Sequence, residues 1–375
     1  MGTRYSPFQR GTMPFTRREF TRLAAAGLAS QVLSRLHAQQ AGERTIGYAM
    51  VGLGVISMQH FMPGLKDAKQ SKLTALVSGH RDKAEKQAVQ YGLPMSAIYS
   101  YENFDSIRDN KQIDAVYIAL PNSMHAEYTI LAAKAGKHVL CEKPMATSVD
   151  DCKAMIDACR DAGVKLMIAY RCQLEPTNLR AIQLIRDGQM GSVQAIESAN
   201  GFNIRPDQWR LNKKMAGGGP LMDVGVYSLN ACRYLTGEEP QVLSAYSSVI
   251  DKDGRFNEVE ENVGWTMRFP SGIVASCNTT YGARMDGYYR VHGSKGVLNV
   301  ENAFPYQGQH LTAQLSGGVT LDEPNPAKDP SHFTIEADYF SQCVLNNTEP
   351  KMDGAEGLKD MQLVAQIYKA CGIAF

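Results

Sequence analysis

Long apolar runs, basic blocks and paired cysteines are all missing from this 375-residue chain, and each absence removes a class of function. Nothing after residue 38 has enough consecutive apolar residues to span a bilayer, so no stable membrane insertion is expected. Lysine and arginine total 39 against 38 acids, a formal net charge of +1, with no cationic cluster beside aromatics to hold a phosphate backbone. Nucleic acid is therefore not an expected partner. The 8 cysteines, Cys141, Cys152, Cys159, Cys172, Cys232, Cys277, Cys343 and Cys371, are dispersed, and no pair has the spacing of a metal knuckle. A chain this long needs no disulfide framework; most of these thiols are expected to be small buried apolar groups, and no metal site is expected. What is present is a hydrophobic content of 44%, enough for two domains with a substantial core.

The charge is uneven. Residues 1–38 hold six arginines (Arg4, Arg10, Arg17, Arg18, Arg22, Arg35) and one acid, Glu19; this net +5 leaves about −4 for the rest of the chain. Thr16-Arg17-Arg18-Glu19-Phe20 runs into a modest apolar stretch at 23–29 and looks like a twin-arginine export signal, cleaved after Ala38, for a protein moved folded to the periplasm. The bland alternative is an amphipathic first helix, and paired arginines at a helix start oppose its dipole.

Residues 39–170 read as a dinucleotide-binding domain. Ile46-Gly47-Tyr48-Ala49-Met50-Val51 is a short buried strand that runs into Gly52-Leu53-Gly54-Val55-Ile56-Ser57. There the backbone of Gly52, Gly54, Val55 and Ile56 can meet a pyrophosphate at a helix start. Ser57 replaces the third glycine of that fingerprint, at a position that needs only a small side chain. The second strand, 73–77, ends in Ser78-Gly79-His80-Arg81-Asp82-Lys83, where an NAD enzyme presents a carboxylate to the ribose 2′-hydroxyl. Serine backed by Arg81 and Lys83 suits a 2′-phosphate instead, so NADP is the expected cofactor unless Asp82 turns back into the pocket. A strand at 113–120 delivers Pro121, Asn122 and His125, which either border the nicotinamide or cap the helix at 126–135. Residues 138–141 form another strand, whose tip carries Glu142-Lys143-Pro144; Pro144 stiffens the backbone that holds the lysine. A helix capped by Ser148 and a closing strand to Tyr170 complete a parallel sheet.

In residues 171–375 the pattern changes. After a helix at 175–188, strands are expected at 193–200, 242–250, 262–269, 273–280, 288–292 and 296–300, without an internal repeat and joined tightly enough for a mainly antiparallel sheet. This gives an α+β second domain for substrate binding and oligomerisation. Two helices, 332–345 and 355–370, end the chain, and glycine-rich 308–319 is a loop or hairpin of no assigned role. Trp209-Arg210 precedes Gly217-Gly218-Gly219-Pro220-Leu221-Met222-Asp223-Val224-Gly225-Val226-Tyr227. The glycines permit close approach or large rotations, and Asp223 and Tyr227, four apart, share one helix face. Alone, the segment would read as a capping aspartate and a packed tyrosine.

Together, Gly52-Leu53-Gly54, Glu142-Lys143-Pro144, Tyr170-Arg171-Cys172-Gln173 and the segment from Asp223 to Tyr227 resemble the glucose-fructose oxidoreductase group of the Gfo/Idh/MocA sugar oxidoreductase family, over roughly residues 44–371. The resemblance implies a Rossmann domain followed by an open, mainly antiparallel sheet, bound NADP, and a homodimer or homotetramer formed through that sheet. It also implies a cycle in which one aldose is oxidised at C1 to its lactone and a second sugar is reduced to an alditol by the same nicotinamide. Tyr227 would be the acid/base, Lys143 would hold the sugar oxygen and favour tyrosinate, and Asp223 would orient sugar hydroxyls. Arg171, Trp209 and Arg210 would line the pocket where cofactor and sugar meet, Glu142 would neighbour the cofactor, and Tyr289 and Tyr306 would reach the sugar from the sheet. Poising a phenol of pKa ~10 near ~7 requires about 4 kcal/mol. A lysine at about 4 Å supplies roughly that much at an effective dielectric near 20.

Three rivals keep parts of this picture. An aldose-aldose oxidoreductase that does not require fructose has the same site and another sugar pair. It is favoured by the short segment 39–44 before the first strand, where the glucose-fructose group has a longer proline-rich arm that clasps the nucleotide. A simple periplasmic NADP-dependent aldose dehydrogenase would release NADPH at each turnover. A non-catalytic periplasmic sugar-binding protein has no use for Lys143, Asp223 and Tyr227 set together.

Overall fold

The computed structural model describes residues 44–375, so the export signal and its cleavage point lie outside the described residues. The first sheet has six strands, β1 (Ile46–Val51), β2 (Ser71–Val77), β3 (Ile98–Tyr99), β4 (Ala115–Ile118), β5 (His138–Cys141) and β6 (Leu166–Ile168). All are parallel, in the order 3-2-1-4-5-6. Every residue of β1 is buried, as a central strand with helices on both faces must be. The strand order reverses between β1 and β4, and the crevice beyond their carboxyl ends is where such sheets place ligands. β3 is an addition to the expected strands; two residues leave no periodicity to read.

Residues Ile56–Phe61 turn as a π-helix before α1 (Met62–Asp67), in place of the ordinary helix start that the sequence predicts. Helices α2 (Arg81–Tyr91), α3 (His125–Lys134) and α4 (Val149–Asp161) complete the first layer. Ser148 caps α4 as expected, accepting from the Asp151 amide at 3.0 Å.

The second sheet runs β14-β13-β12-β11-β7-β10-β9-β8. Its strands are β7 (Val193–Gly201), β8 (Gln241–Ser248), β9 (Asn262–Arg268), β10 (Val274–Thr280), β11 (Met285–Gly293), β12 (Gly296–Glu301), β13 (His310–Leu315) and β14 (Val319–Pro324). β7 and β10 are parallel and the other neighbours antiparallel. Residues 308–319 thus belong to a hairpin, β13 to β14, turned at Gly317-Gly318 with φ of 80° and 79°, a region open to glycine. One face of the sheet is covered by α5 (Pro176–Arg186) and, beyond the short α6 (Lys213–Ala216), by α7 (Val226–Thr236). The other face presents side chains outward, Tyr246 being 79% exposed.

The last two helices, α8 (Ser331–Leu345) and α9 (Gly354–Ala370), return to the first sheet. α8 packs on β1 and β2, where the Tyr48 hydroxyl donates to Ala337 O at 3.1 Å and Asp338 accepts from the amides of Lys69 and Gln70 at 2.8 and 2.9 Å. α9 packs on α4, β6 and β8. The end of the chain thus packs on the first sheet after the second has been built. Strands buried on both faces need an apolar cover, and Phe333, Ala337 and Phe340 of α8 supply it.

Candidate active site

At the end of β1 the chain must turn sharply. Gly52 has φ +90°, and a Cβ there would lie 2.5 Å from Ala119 O, so only glycine fits. Gly54 is different: a Cβ would meet no protein atom within 4 Å, which leaves a bare stretch of backbone open to close approach. Beside it Val55 is 60% exposed, an apolar side chain turned outward at the ligand end of the sheet. Ser57 is buried and donates to Gly52 O at 2.6 Å, which ties the turn where a third glycine would stand and leads into Ile56 and the π-turn. At the tip of β2, Ser78 accepts from the His80 amide at 3.0 Å, and Gly79 lies against the Tyr101 ring. Arg81 pairs with Glu85 at 2.8 Å on the surface of α2, Asp82 is exposed there, and Lys83 is half-buried on the same helix. A bare glycine turn and a strand tip without a carboxylate fit a dinucleotide.

Two residues expected near the nicotinamide are used by the fold. His125 is fully buried, with Nδ1 2.9 Å from Pro144 O and Nε2 3.0 Å from Leu120 O. It ties the tips of β4 and β5 together and does not cap the helix that it begins. Asn122, after Pro121, donates to Ala216 O at 2.8 Å and fastens the same tip to α6.

Lys143, at the tip of β5, reaches across to the second half of the chain. Its Nζ donates to the main-chain oxygen of Asp223 at 2.6 Å, and it lies 3.3 Å from Asp223 Oδ1 and 4.6 Å from the centre of the Tyr227 ring. Asp223 Oδ2 takes Arg210 Nε at 3.0 Å and the Tyr281 hydroxyl at 2.8 Å. Asp223 lies in a π-helical turn, Leu221–Gly225, that runs into α7, so it and Tyr227 meet one lysine by a wider turn than the simple helix face expected. Glu260 anchors the start of this turn: its carboxylate accepts from the amides of Gly219 and Leu221 at 3.0 and 3.4 Å, and a Cβ on Gly219 would lie 2.4 Å from Glu260 O.

The electrostatics divide the pair. Burial raises the Asp223 carboxyl, but Arg210 and Lys143 outweigh it and hold it below the usual carboxylate value. Burial pushes the Tyr227 phenol well above its ordinary value; Arg171 is the chief opposing influence, while Cys172, Glu142 and Asp223 add to the rise. Lys143 thus directs two of its three N–H groups to Asp223 and meets the face of the tyrosine ring. A phenol poised near neutrality by Lys143 is not what the chain by itself holds.

Arg171 is 4% exposed and bonds Phe304 O, Pro305 O at 3.3 Å and His332 Nδ1 at 3.0 Å. Its guanidinium lies 4.5 Å from the Tyr306 ring centre and 5.5 Å from that of Tyr227, so it supports the site from within and does not offer a fork to a sugar. Tyr306 belongs to this cluster and touches His60, ring centres 4.3 Å apart. Tyr289 does not. It is wholly buried and donates to Asn178 Oδ1 at 2.8 Å, because its position on β11 falls on the helix-covered face. Glu142 accepts from the Tyr117 hydroxyl and from the Lys143 amide; burial raises its carboxyl, and Lys143, Tyr117 and Arg171 oppose that rise. Trp209 packs under Arg210, 4.7 Å from guanidinium to ring centre. Sequence reasoning does not find Tyr281, His332 or Glu336, whose local patterns match ordinary core positions. The one available hint is Tyr281, a hydroxylated aromatic just past the end of β10.

Residues 46–170 match the model of the oxidoreductase family with an NAD-binding Rossmann fold, and residues 178–299 match that of the GFO/IDH/MocA C-terminal domain. The structure of an aldose-aldose oxidoreductase from Caulobacter crescentus, complexed with glycerol, is similar with a TM-score of 0.84 and 47% identity, over 88% of this chain and 98% of that one. A D-xylose 1-dehydrogenase (NADP+) from Haloarcula marismortui is 33% identical over 339 residues, 88% of this chain and 92% of its own. A 3-ketoreductase from Actinomadura kijaniata, in complex with TDP-benzene and NADP, shares the fold with a TM-score of 0.75 at 22% identity, over 87% of this chain and 98% of that one. Among the described residues no helix is long and apolar enough to cross a membrane, and no cluster of His, Cys, Asp and Glu could hold a metal ion. A glycine turn open to a dinucleotide, in one sheet with a lysine that reaches an aspartate and a tyrosine of the second half, agrees with these likenesses: the chain belongs to the Gfo/Idh/MocA family and is an NAD(P)-dependent oxidoreductase acting on the CH–OH groups of sugars.

Proposed function

We propose that the protein is an aldose-aldose oxidoreductase. One aldose is oxidised at C1 to its lactone, and a second aldose, with no need for fructose, is reduced to its alditol. The observation that supports this most is Lys143 held between Asp223 and the Tyr227 ring, in a chain 47% identical to an aldose-aldose oxidoreductase.

The backbone from Gly52 to Ile56 and the tip of β2 would hold a dinucleotide, whose nicotinamide would supply reversible hydride transfer between the two sugars. The other demands fall on the chain. Tyr227 takes the proton of the C1 hydroxyl in oxidation and gives one to the carbonyl oxygen in reduction. Its raised pKa keeps it protonated in the free chain, which suits the reductive half, and nearby positive charge favours the base form. Lys143 donates to the same sugar oxygen and offsets charge as it develops there. Asp223, ionised at neutral pH and braced by Arg210 and Tyr281, accepts from adjacent sugar hydroxyls.

NADP is preferred over NAD, since Ser78 stands where a carboxylate would repel a 2′-phosphate and Arg81 can exchange Glu85 for it. The protein is exported to the periplasm by the twin-arginine route, and its subunits associate through the open face of the second sheet as a dimer or tetramer.

Purified without added nucleotide, the protein is expected to carry NADP and to convert glucose alone into equal amounts of gluconolactone and sorbitol. Product analysis checks this. Sorbitol formed only when fructose is supplied restores glucose-fructose coupling, and NADPH accumulating without sorbitol indicates a simple dehydrogenase.

A further inference from the structure

The arginines Arg233, Arg255 and Arg210 are each paired with carboxylates: Arg233 with Glu239, Glu356 and Asp360, Arg255 with Asp251 and Asp253, and Arg210 with Asp223. Arg171 is as buried as Arg233, yet its acceptors are two main-chain carbonyls and a histidine nitrogen, all neutral. Burying a cation without an anionic partner is costly, and folds tolerate it where the charge has a task. The acid on α8 does not neutralise it by a hydrogen bond: both carboxyl oxygens of Glu336 are buried and without a partner. Lys143, the other nearby cation, donates instead to Asp223.

We propose that Arg171 is a positioning residue that supplies the counter-charge for the Tyr227 oxyanion, with His332 orienting its guanidinium. The inference rests on the reading of Tyr227 as the acid/base. The groups that surround this pair are Glu142 and Lys143 after β5, Cys172 beside Arg171, Asp223 on the π-turn before α7, Tyr306 after β12 with His60 of the first π-turn against it, and His332 and Glu336 on α8. Their tendencies agree with the geometry. Burial, then Arg171, pulls His332 down to about 3, so it stays a neutral acceptor. Burial and Glu142 hold the Glu336 carboxyl well above its ordinary value, against the pull of Arg171.

The test is kcat/KM against pH for aldose oxidation by the holoenzyme, comparing wild type with Arg171→Met, Arg171→Lys, His332→Leu and Lys143→Met. Oxidation needs the phenolate, and losing a stabilising cation raises the phenol pKa, so the ascending limb must move to higher pH. A unit charge at this range is worth about one to two pH units. Arg171→Met is expected to shift the limb by that much, whereas Arg171→Lys, which keeps the charge, shifts it by less than about half a unit. His332→Leu, which keeps the charge but frees the fork, is expected to give an intermediate upward shift and answers the question if Arg171→Met does not fold. A limb unmoved in both Arg171→Met and His332→Leu, or moved only by Lys143→Met, overturns the proposal. Turnover retained by Tyr227→Phe would instead remove the acid/base reading on which it rests.

Discussion

Tyr227→Phe is expected to abolish both aldose oxidation and reduction of the second sugar while leaving the nucleotide bound. The substitution deletes one hydroxyl. The ring keeps its packing against Phe304, 5.7 Å between centres, and its place beneath Lys143. What is lost is the proton exchange that both half-reactions share, so the two rates must fall together, by about 10²–10⁴ for a general acid/base. Neither the glycine turn nor the β2 tip is touched, so nucleotide content should match wild type. Single-turnover rates in each direction, alongside the nucleotide content of the purified variant, check the expectation. If one half-reaction survives at the wild-type rate, Tyr227 does not carry the proton for both.

Asp223→Ala is expected to fail in stability as well as in activity. One carboxylate serves Lys143, Arg210 and Tyr281, and its removal leaves a nearly buried ammonium beside a partly exposed guanidinium. Breaking a buried pair on one side costs about 3–5 kcal/mol, and the lower end applies because Arg210 retains contact with water. Asp223→Asn keeps the shape and an acceptor for Tyr281, so it should recover part of the stability without the activity. The effect has a pH signature. The folded carboxyl titrates below its unfolded value, so its stabilisation is present above about pH 4 and fades as pH falls through the folded pKa. Denaturant midpoints of wild type and Asp223→Ala at neutral and acid pH test this, and equal midpoints at neutral pH would contradict it.

Features carried by short, local chemistry were legible in the sequence. The Gly52-Leu53-Gly54 turn, the lysine after β5, the Ser148 cap and most strands of the second sheet each announce themselves within a few residues. Features made by distant contacts were not. The start of the π-turn at Asp223 is anchored by Glu260, about forty positions downstream, and no helical periodicity encodes that contact. The return of α8 to the first sheet is invisible because an apolar helix face does not say which sheet it will cover. Tyr289 and Arg171 are placed at the pocket by the family resemblance, not by any local pattern of the chain. In the fold one lies on the covered face of β11, and the other lies behind Tyr227. The same long-range assembly sets the charges around Tyr227. Lys143 meets Asp223 first, and the cation that acts most on Tyr227 comes from another strand tip.

The central claim is that one site passes hydride from one aldose to another. The most direct measurement is to supply glucose deuterated at C1 together with unlabelled xylose and to analyse the xylitol by mass spectrometry and NMR. The account predicts xylitol carrying one deuterium at C1, with deuterium-free gluconolactone and no accumulation of reduced nucleotide. Unlabelled xylitol, or deuterium recovered only in released NADPH, would contradict it.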